Sequence, residues 1–323
     1  MRLSSFHRLI ALSSLNPLVF GSAFSLSNTI SKSSLQRGLA MSTSTSEFAK
    51  STIEFPKPVA VQPGTSPVEE QLVSNPIDST CKVLIVGASR GIGLEFVKQI
   101  LEKGSTVIAT YRSEQPSALQ TLSEKYPETL HLLELDLGDE VSIQNAAKEY
   151  QNMNIGSLTH LIHNGGIYLP ETTFDGSARG PRAAAPAVTK SAMMRTFEIN
   201  TIAPLIVAQN FAPLLGKRDE TLPVIAYMTS KVGSIDDNGS GGAYAYRSSK
   251  SALNNIAKSL SSDLCEEARV VLLHPGYVQT DMTSGKGFIT AEESVSGLLK
   301  AIEATDNDKG FRFVDYKACL IPW

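Results

Sequence analysis

From Lys82 onward, short apolar runs alternate with longer stretches in which apolar residues recur every three or four positions. The short runs predict strands over 82–86, 106–110, 130–135, 158–163, 223–228, 269–274 and 310–314. Between them, Leu94, Val97, Ile100 and Leu101 give the clearest helical spacing, over 94–103, and Gly104 supplies the stop. Helical stretches also follow over 193–215 and 251–264, and Thr290 with Glu293 forms a capping-box pattern for a further helix. Strands and helices in strict alternation demand a parallel sheet covered on both faces. The prediction is an α/β fold: a doubly wound, seven-stranded parallel sheet of the Rossmann type, in a single domain over 81–323.

The first 80 residues follow a different rule. Residues 1–46 contain no Asp or Glu, four basic residues (Arg2, Arg8, Lys32, Arg37) and many Ser and Thr, the bias of a targeting presequence. The moderately apolar stretch 9–24 ends in Gly21-Ser22-Ala23, and Ser22-Ala23-Phe24 resembles the cleavage motif of bipartite presequences in algae with secondary plastids. A plastid is the expected compartment; a mitochondrial presequence, or cytoplasmic protein initiated at Met41, are the alternatives. Residues 47–80 carry Pro56, Pro58, Pro63, Pro67 and Pro76 and read as an extended arm or linker.

Composition narrows the function classes. A net charge of -3 offers no basic face for nucleic acid. No run reaches the roughly 18 apolar residues that a membrane span needs. Cys81, Cys265 and Cys319 stand far apart, and the five histidines make no HExxH or HxH pair, so no metal site is expected.

Two segments carry chemistry. Gly87-Ala88-Ser89-Arg90-Gly91-Ile92-Gly93 lies between a predicted strand and a predicted helix, where a glycine turn brings backbone N–H groups against a pyrophosphate. An NAD site would place an acid about 20 residues later, on the adenosine ribose. Here that place reads Thr110-Tyr111-Arg112, so Arg112, with Arg90, suits a 2′-phosphate, and NADP(H) is the expected cofactor. Glu114, just beyond, is the one feature in favour of NAD(H). In the second segment, Tyr246 and Lys250 stand four residues apart on one helical face, and a nearby ammonium is expected to lower the phenol's pKa and make it a general acid. Tyr244 is a rival phenol, with Ser248 rather than a lysine four residues on.

The spacing Gly-x-x-x-Gly-x-Gly and the segment Tyr246-Arg247-Ser248-Ser249-Lys250 resemble the short-chain dehydrogenase/reductase family. Gly233-Ser234-Ile235, the run from Gly241 to Asn254 and the terminal Pro322-Trp323 look most like its C-factor and sniffer-type carbonyl reductases. The resemblance implies a tetrad of Asn200, Ser230, Tyr246 and Lys250, with Asn200 holding a water that links the lysine to solvent. It implies cofactor contacts at Gly87, Ser89, Arg90, Gly91, Ile92, Gly93 and Arg112. It further implies Asp136 and Leu137 at the adenine edge, Asn164 in His163-Asn164-Gly165-Gly166, and Pro275, Gly276, Val278 and Thr280 around the nicotinamide. His163 and Gly165 depart from the family's Asn and Ala at those places.

The implied activity is NADPH-dependent reduction of a small-molecule carbonyl substrate, with Tyr246 as proton donor, Ser230 steadying the oxygen, and Lys250 on the nicotinamide ribose. Pairing of the helices that hold Asn200 and Tyr246 implies a homodimer or homotetramer. Residues 175–187 form an extra loop expected at the substrate entrance, with 283–289 as the facing lid. The rival reading is a non-catalytic protein that binds NADP(H) as a redox sensor; a purely structural subunit is the third.

Overall fold

The computed structural model describes residues 75–180, 183–305 and 310–323. The presequence and the arm up to residue 74 lie outside the described residues, as do Pro181 and Arg182 of the extra loop. Seven parallel strands form one sheet: β1 (Lys82–Val86), β2 (Thr106–Tyr111), β3 (Leu130–Glu134), β4 (His160–His163), β5 (Val224–Met228), β6 (Arg269–His274) and β7 (Arg312–Asp315). Their spatial order is β3-β2-β1-β4-β5-β6-β7, as predicted for a doubly wound sheet.

Successive side chains of a strand point to opposite faces, so a strand covered on both sides is apolar at every position. In β1, Val83 and Ile85 enter one core while Leu84 and Val86 enter the other. The first core is closed by α1 (Gly91–Glu102), α2 (Ser117–Lys125) and α7 (Ala291–Glu303), through residues such as Phe96, Leu119 and Leu298. The second is closed by α3 (Glu140–Asn152), α5 (Ala203–Phe211) and α6 (Tyr244–Asp263), through Ile143, Phe211 and Leu253. Truncating a wholly buried residue such as Leu84 to alanine would cost about 2–5 kcal/mol.

Side-chain caps start several helices. Asp139 accepts from Val141 N–H at α3, Thr189 from Ala192 N–H at α4 (Lys190–Phe197), and Thr290 from Glu293 N–H at α7. The stretch 193–215 is not one helix. Between α4 and α5 lies a π-turn, Glu198–Ile202, in which Ala203 N–H bonds to the carbonyl of Glu198. No described helix is long and apolar enough to cross a membrane.

Packing reaches back to Asn75. Asn75 N–H donates to Glu303 O at 2.9 Å, and Ile77 is buried with its N–H on Glu303 Oε1. Arg218 clasps the same segment by donating to Asn75 Oδ1 at 3.0 Å and to Asp78 Oδ1 at 3.3 Å.

Candidate active site

The strand order reverses between β1 and β4, and a cleft of about 900 Å³ opens at the carboxyl ends of the strands there. One wall is the glycine turn. Gly87 has φ +79°, and a methyl group on it would stand 2.8 Å from Gly165 Cα, so only glycine lets the turn approach the next loop. Asn164 Nδ2 donates to Gly87 O at 2.9 Å, and Thr110 Oγ1 accepts from Gly87 N–H at 3.0 Å. The turn is therefore fixed from both neighbouring strands. Arg90 precedes α1 in extended conformation with no side-chain cap on the helix, which leaves the first-turn N–H groups at the cleft.

Ser89, Arg90, Gly91, Ile92, Arg112, Asp136, Leu137, Asn164, Tyr246, Lys250, Pro275 and Thr280 all line this one cleft. Ser230, Asn200, Gly93, Gly276 and Val278 are not among the residues that line it. Arg112 lies at the end of β2 with no acid at the strand's last position. Arg90 takes a partner that sequence spacing does not reveal, an ion pair with Asp281 at 3.1 Å.

At the other end stand the four residues of the implied tetrad. Lys250 is buried and donates to Met228 O at 2.9 Å. Asn200 is held by Ile167, whose N–H donates to its Oδ1 at 2.8 Å and whose carbonyl accepts from its Nδ2 at 2.9 Å, and by Ser249 Oγ at 3.1 Å. A methyl group at Gly166 would come within 3.2 Å of Asn200 Oδ1 and 3.4 Å of Lys250 Nζ, so Gly166 is where these two side chains converge. Ser230 lies two residues beyond β5, and the turn after it is fastened to α6: Ser251 Oγ donates to Gly233 O at 2.6 Å and Arg247 Nη1 to Val232 O at 3.0 Å. That fastening carries Ser230 to the Tyr246 phenol.

The electrostatics differ from the expectation drawn from spacing alone. Burial pushes the Tyr246 phenol up to about 12, with Tyr168 adding to the rise and Ser230 opposing it. Lys250, buried as well, is pushed down to about 8. Lys250, its Nζ 5.8 Å from the ring centroid, does not offset this rise, because burial drives the lysine itself toward its neutral form. Burial favours the neutral form of both groups, and a neutral phenol still holds the proton that a general acid must give.

The entrance is aromatic. Tyr168 meets the Tyr246 ring edge-to-face at 5.2 Å, and Phe174, immediately before the extra loop, packs on Tyr244 at 6.3 Å. The loop's neck is closed by Thr172 and Thr173 N–H groups on Pro186 O, and Ala243 N–H reaches Thr172 O. In the second expected border, Gln279 N–H on Ile289 O and Phe288 N–H on Tyr277 O fasten the base of the segment 283–289. Sequence reasoning missed Arg195, Ile199, Tyr168 and Met282, which also line the cleft. The signal for Arg195 and Ile199 was present: they are four residues apart, one helical turn, and directly precede Asn200.

Residues 82–287 match the short chain dehydrogenase family. The C-signal protein of Myxococcus xanthus is 40% identical over 173 residues, which are 53% of this chain and 96% of that protein. An NADPH-bound carbonyl reductase from chicken fatty liver superposes with a TM-score of 0.67 at 33% identity, covering 75% of this chain and 98% of that one. The carbonyl reductase Sniffer of D. melanogaster gives a TM-score of 0.67 at 31% identity, over 75% of this chain and 99% of its own.

Proposed function

This chain belongs to the short chain dehydrogenase family, and from that premise we propose that it reduces a carbonyl compound with NADPH, Tyr246 supplying the proton. The observation that carries the reading is the convergence of Asn200, Ser230, Tyr246 and Lys250 at one end of a cleft whose other end is a glycine turn with Arg112 beside it. The residues present fit a phosphorylated dinucleotide. The close approach at Gly87 leaves no room for a side chain, the α1 N-terminus faces the cleft, and a cation stands where an NAD site has an acid.

NADPH, when bound, would supply a hydride to the carbonyl carbon. The substrate oxygen is held between the Ser230 hydroxyl and the Tyr246 phenol, and takes the phenolic proton as it gains negative charge, so that an alcohol leaves. Lys250, buried beside Tyr246, would hold the nicotinamide ribose. Asn200, fixed by Ile167 and Ser249, keeps the backbone beside Gly166 and Lys250 in place for resupply of the proton from solvent. A low local dielectric makes each of these contacts stronger than in water.

The test is consumption of NADPH by the purified protein with aldehydes, quinones and diketones, with isolation of the alcohol or hydroquinone product. Binding of NADPH without consumption of any of them would overturn the catalytic reading and favour a redox sensor.

A further inference from the structure

We propose that Arg195 forms a wall of the adenine site, its guanidinium plane stacking on the base of the dinucleotide; this rests on the NADP(H) reading above. Arg195 lines the cleft together with Asp136, Leu137 and Ile199. Its Nη1 donates to Glu198 Oε2 at 2.6 Å, which fixes the head of an otherwise flexible side chain.

Gly138 shows where that head rests. A methyl group at Gly138 would stand 2.7 Å from Arg195 Nη1, 3.1 Å from Nη2 and 3.4 Å from Cζ, so the guanidinium lies against the backbone at this point. Gly138 is not in a left-handed conformation, so its backbone does not call for glycine. The space a methyl group would take there is filled by the tip of Arg195. The seat itself is rigid, because Gly138 N–H donates to Asp136 Oδ1 at 2.8 Å and Asp136 N–H to Ser142 Oγ at 2.9 Å.

The chemistry of this arrangement selects a flat base over a phosphate. Glu198 offsets the charge of Arg195, which weakens it as an anion ligand. A planar, weakly hydrated guanidinium that lines a cleft suits stacking on a heteroaromatic ring. Arg112, at the end of β2, has no acid so close in the ion pairs of the described residues and is left for the 2′-phosphate.

Calorimetric titration with NADPH, NADH and 2′,5′-ADP, compared with turnover of reduced nicotinamide mononucleotide, tests the assignment. Arg195→Leu is expected to weaken all three adenine-containing ligands about tenfold and to leave the mononucleotide reaction unchanged. Gly138→Ala should do the same by displacing the guanidinium, and the double variant should be no weaker than Arg195→Leu alone. Dissociation constants within twofold of the unsubstituted protein in Arg195→Leu, or additive losses in the double variant, would overturn the proposal. Equal affinity of the unsubstituted protein for NADPH and NADH would instead sink the 2′-phosphate reading, while a tenfold loss with both would still support the stacked base. Failure of the unsubstituted protein to bind any of the three overturns both.

Discussion

Arg90, on the glycine turn, holds Asp281 at 3.1 Å across the mouth of the cleft, joining segments 191 residues apart in sequence. Both side chains are about four-fifths exposed, so the pair itself adds little to stability. Its effect falls on the ligand, because Asp281 repels phosphate and occupies Arg90. Asp281→Asn is therefore expected to tighten NADPH binding several-fold at low salt, with the gain vanishing at high salt. Fluorescence titration at two ionic strengths checks this; unchanged affinity at low salt would show that Arg90 is not at a phosphate.

Arg112 carries the choice of cofactor. A charge-assisted hydrogen bond is worth about 1.5–3 kcal/mol, so Arg112→Ala should lower the ratio of kcat/KM for NADPH over NADH by tenfold or more. A ratio that stays put would defeat the assignment.

Tyr246 and Tyr244 separate by their surroundings. Tyr246 faces Ser230 and Tyr168, whereas Tyr244 is exposed against Phe174. Tyr246→Phe should reduce kcat by about 10² or more, within the range for acid–base groups, and Tyr244→Phe should retain most activity. Steady-state kinetics on the two variants would expose an error in register if the effects were reversed.

The buried histidines set an acid limit. Burial holds His160 and His163 down at about 3 and His274 at about 4, against 6.5 for a free imidazole. In the unfolded chain they take up protons below about pH 6.5, while in the folded chain they stay neutral. Their contribution to stability is complete above pH 6.5 and is lost as pH falls from there, through about 4 for His274 and about 3 for His160 and His163. The slope is up to about 1.4 kcal/mol per pH unit for each histidine. His163→Asn should reduce the slope by one proton, measured by urea unfolding at several pH values; an identical slope would mean that His163 is charged in the folded state.

Pro204, in the first turn of α5, cannot donate to the Asn200 carbonyl four residues earlier, and the π-turn Glu198–Ile202 lies at that point. Pro204→Ala supplies the missing N–H and favours a regular helix, turning Asn200 away from Ile167 and Ser249. The expected result is a several-fold lower kcat with unchanged NADPH affinity and a larger solvent isotope effect. A change in thermal stability alone would assign the kink to packing.

How much of this was legible follows from what each residue depends on. β1 and β6 read to the residue because strands buried on both faces are uninterrupted apolar runs. β4 starts at His160 rather than 158, since Leu158 N–H turns aside to Leu214 O and the Thr159 hydroxyl takes the Lys82 N–H. The π-turn was hidden because one extra residue hardly disturbs a 3.6-residue pattern. Tyr246 and Lys250 were visible through their spacing. The sign of the Tyr246 shift was not, because burial of the phenol and of Lys250 is a property of packing. Arg90 with Asp281, and Arg195 with Gly138, are contacts over long stretches of chain that local pattern cannot reveal.

The clasp around Asn75, Ile77 and Asp78 bears on how a shortened gene should be cut. The family match begins at residue 82, and a fragment started there would look complete by alignment. It would strip Arg218 of its carbonyl and carboxylate partners and leave the buried Glu303 without the N–H of Ile77. It would also uncover the hydrophobic floor that Ile77 and Cys81 seal beneath β1. The packed structure thus reaches upstream of the family match at least as far as Asn75, and an expression clone begun before that residue retains what one begun at the match discards.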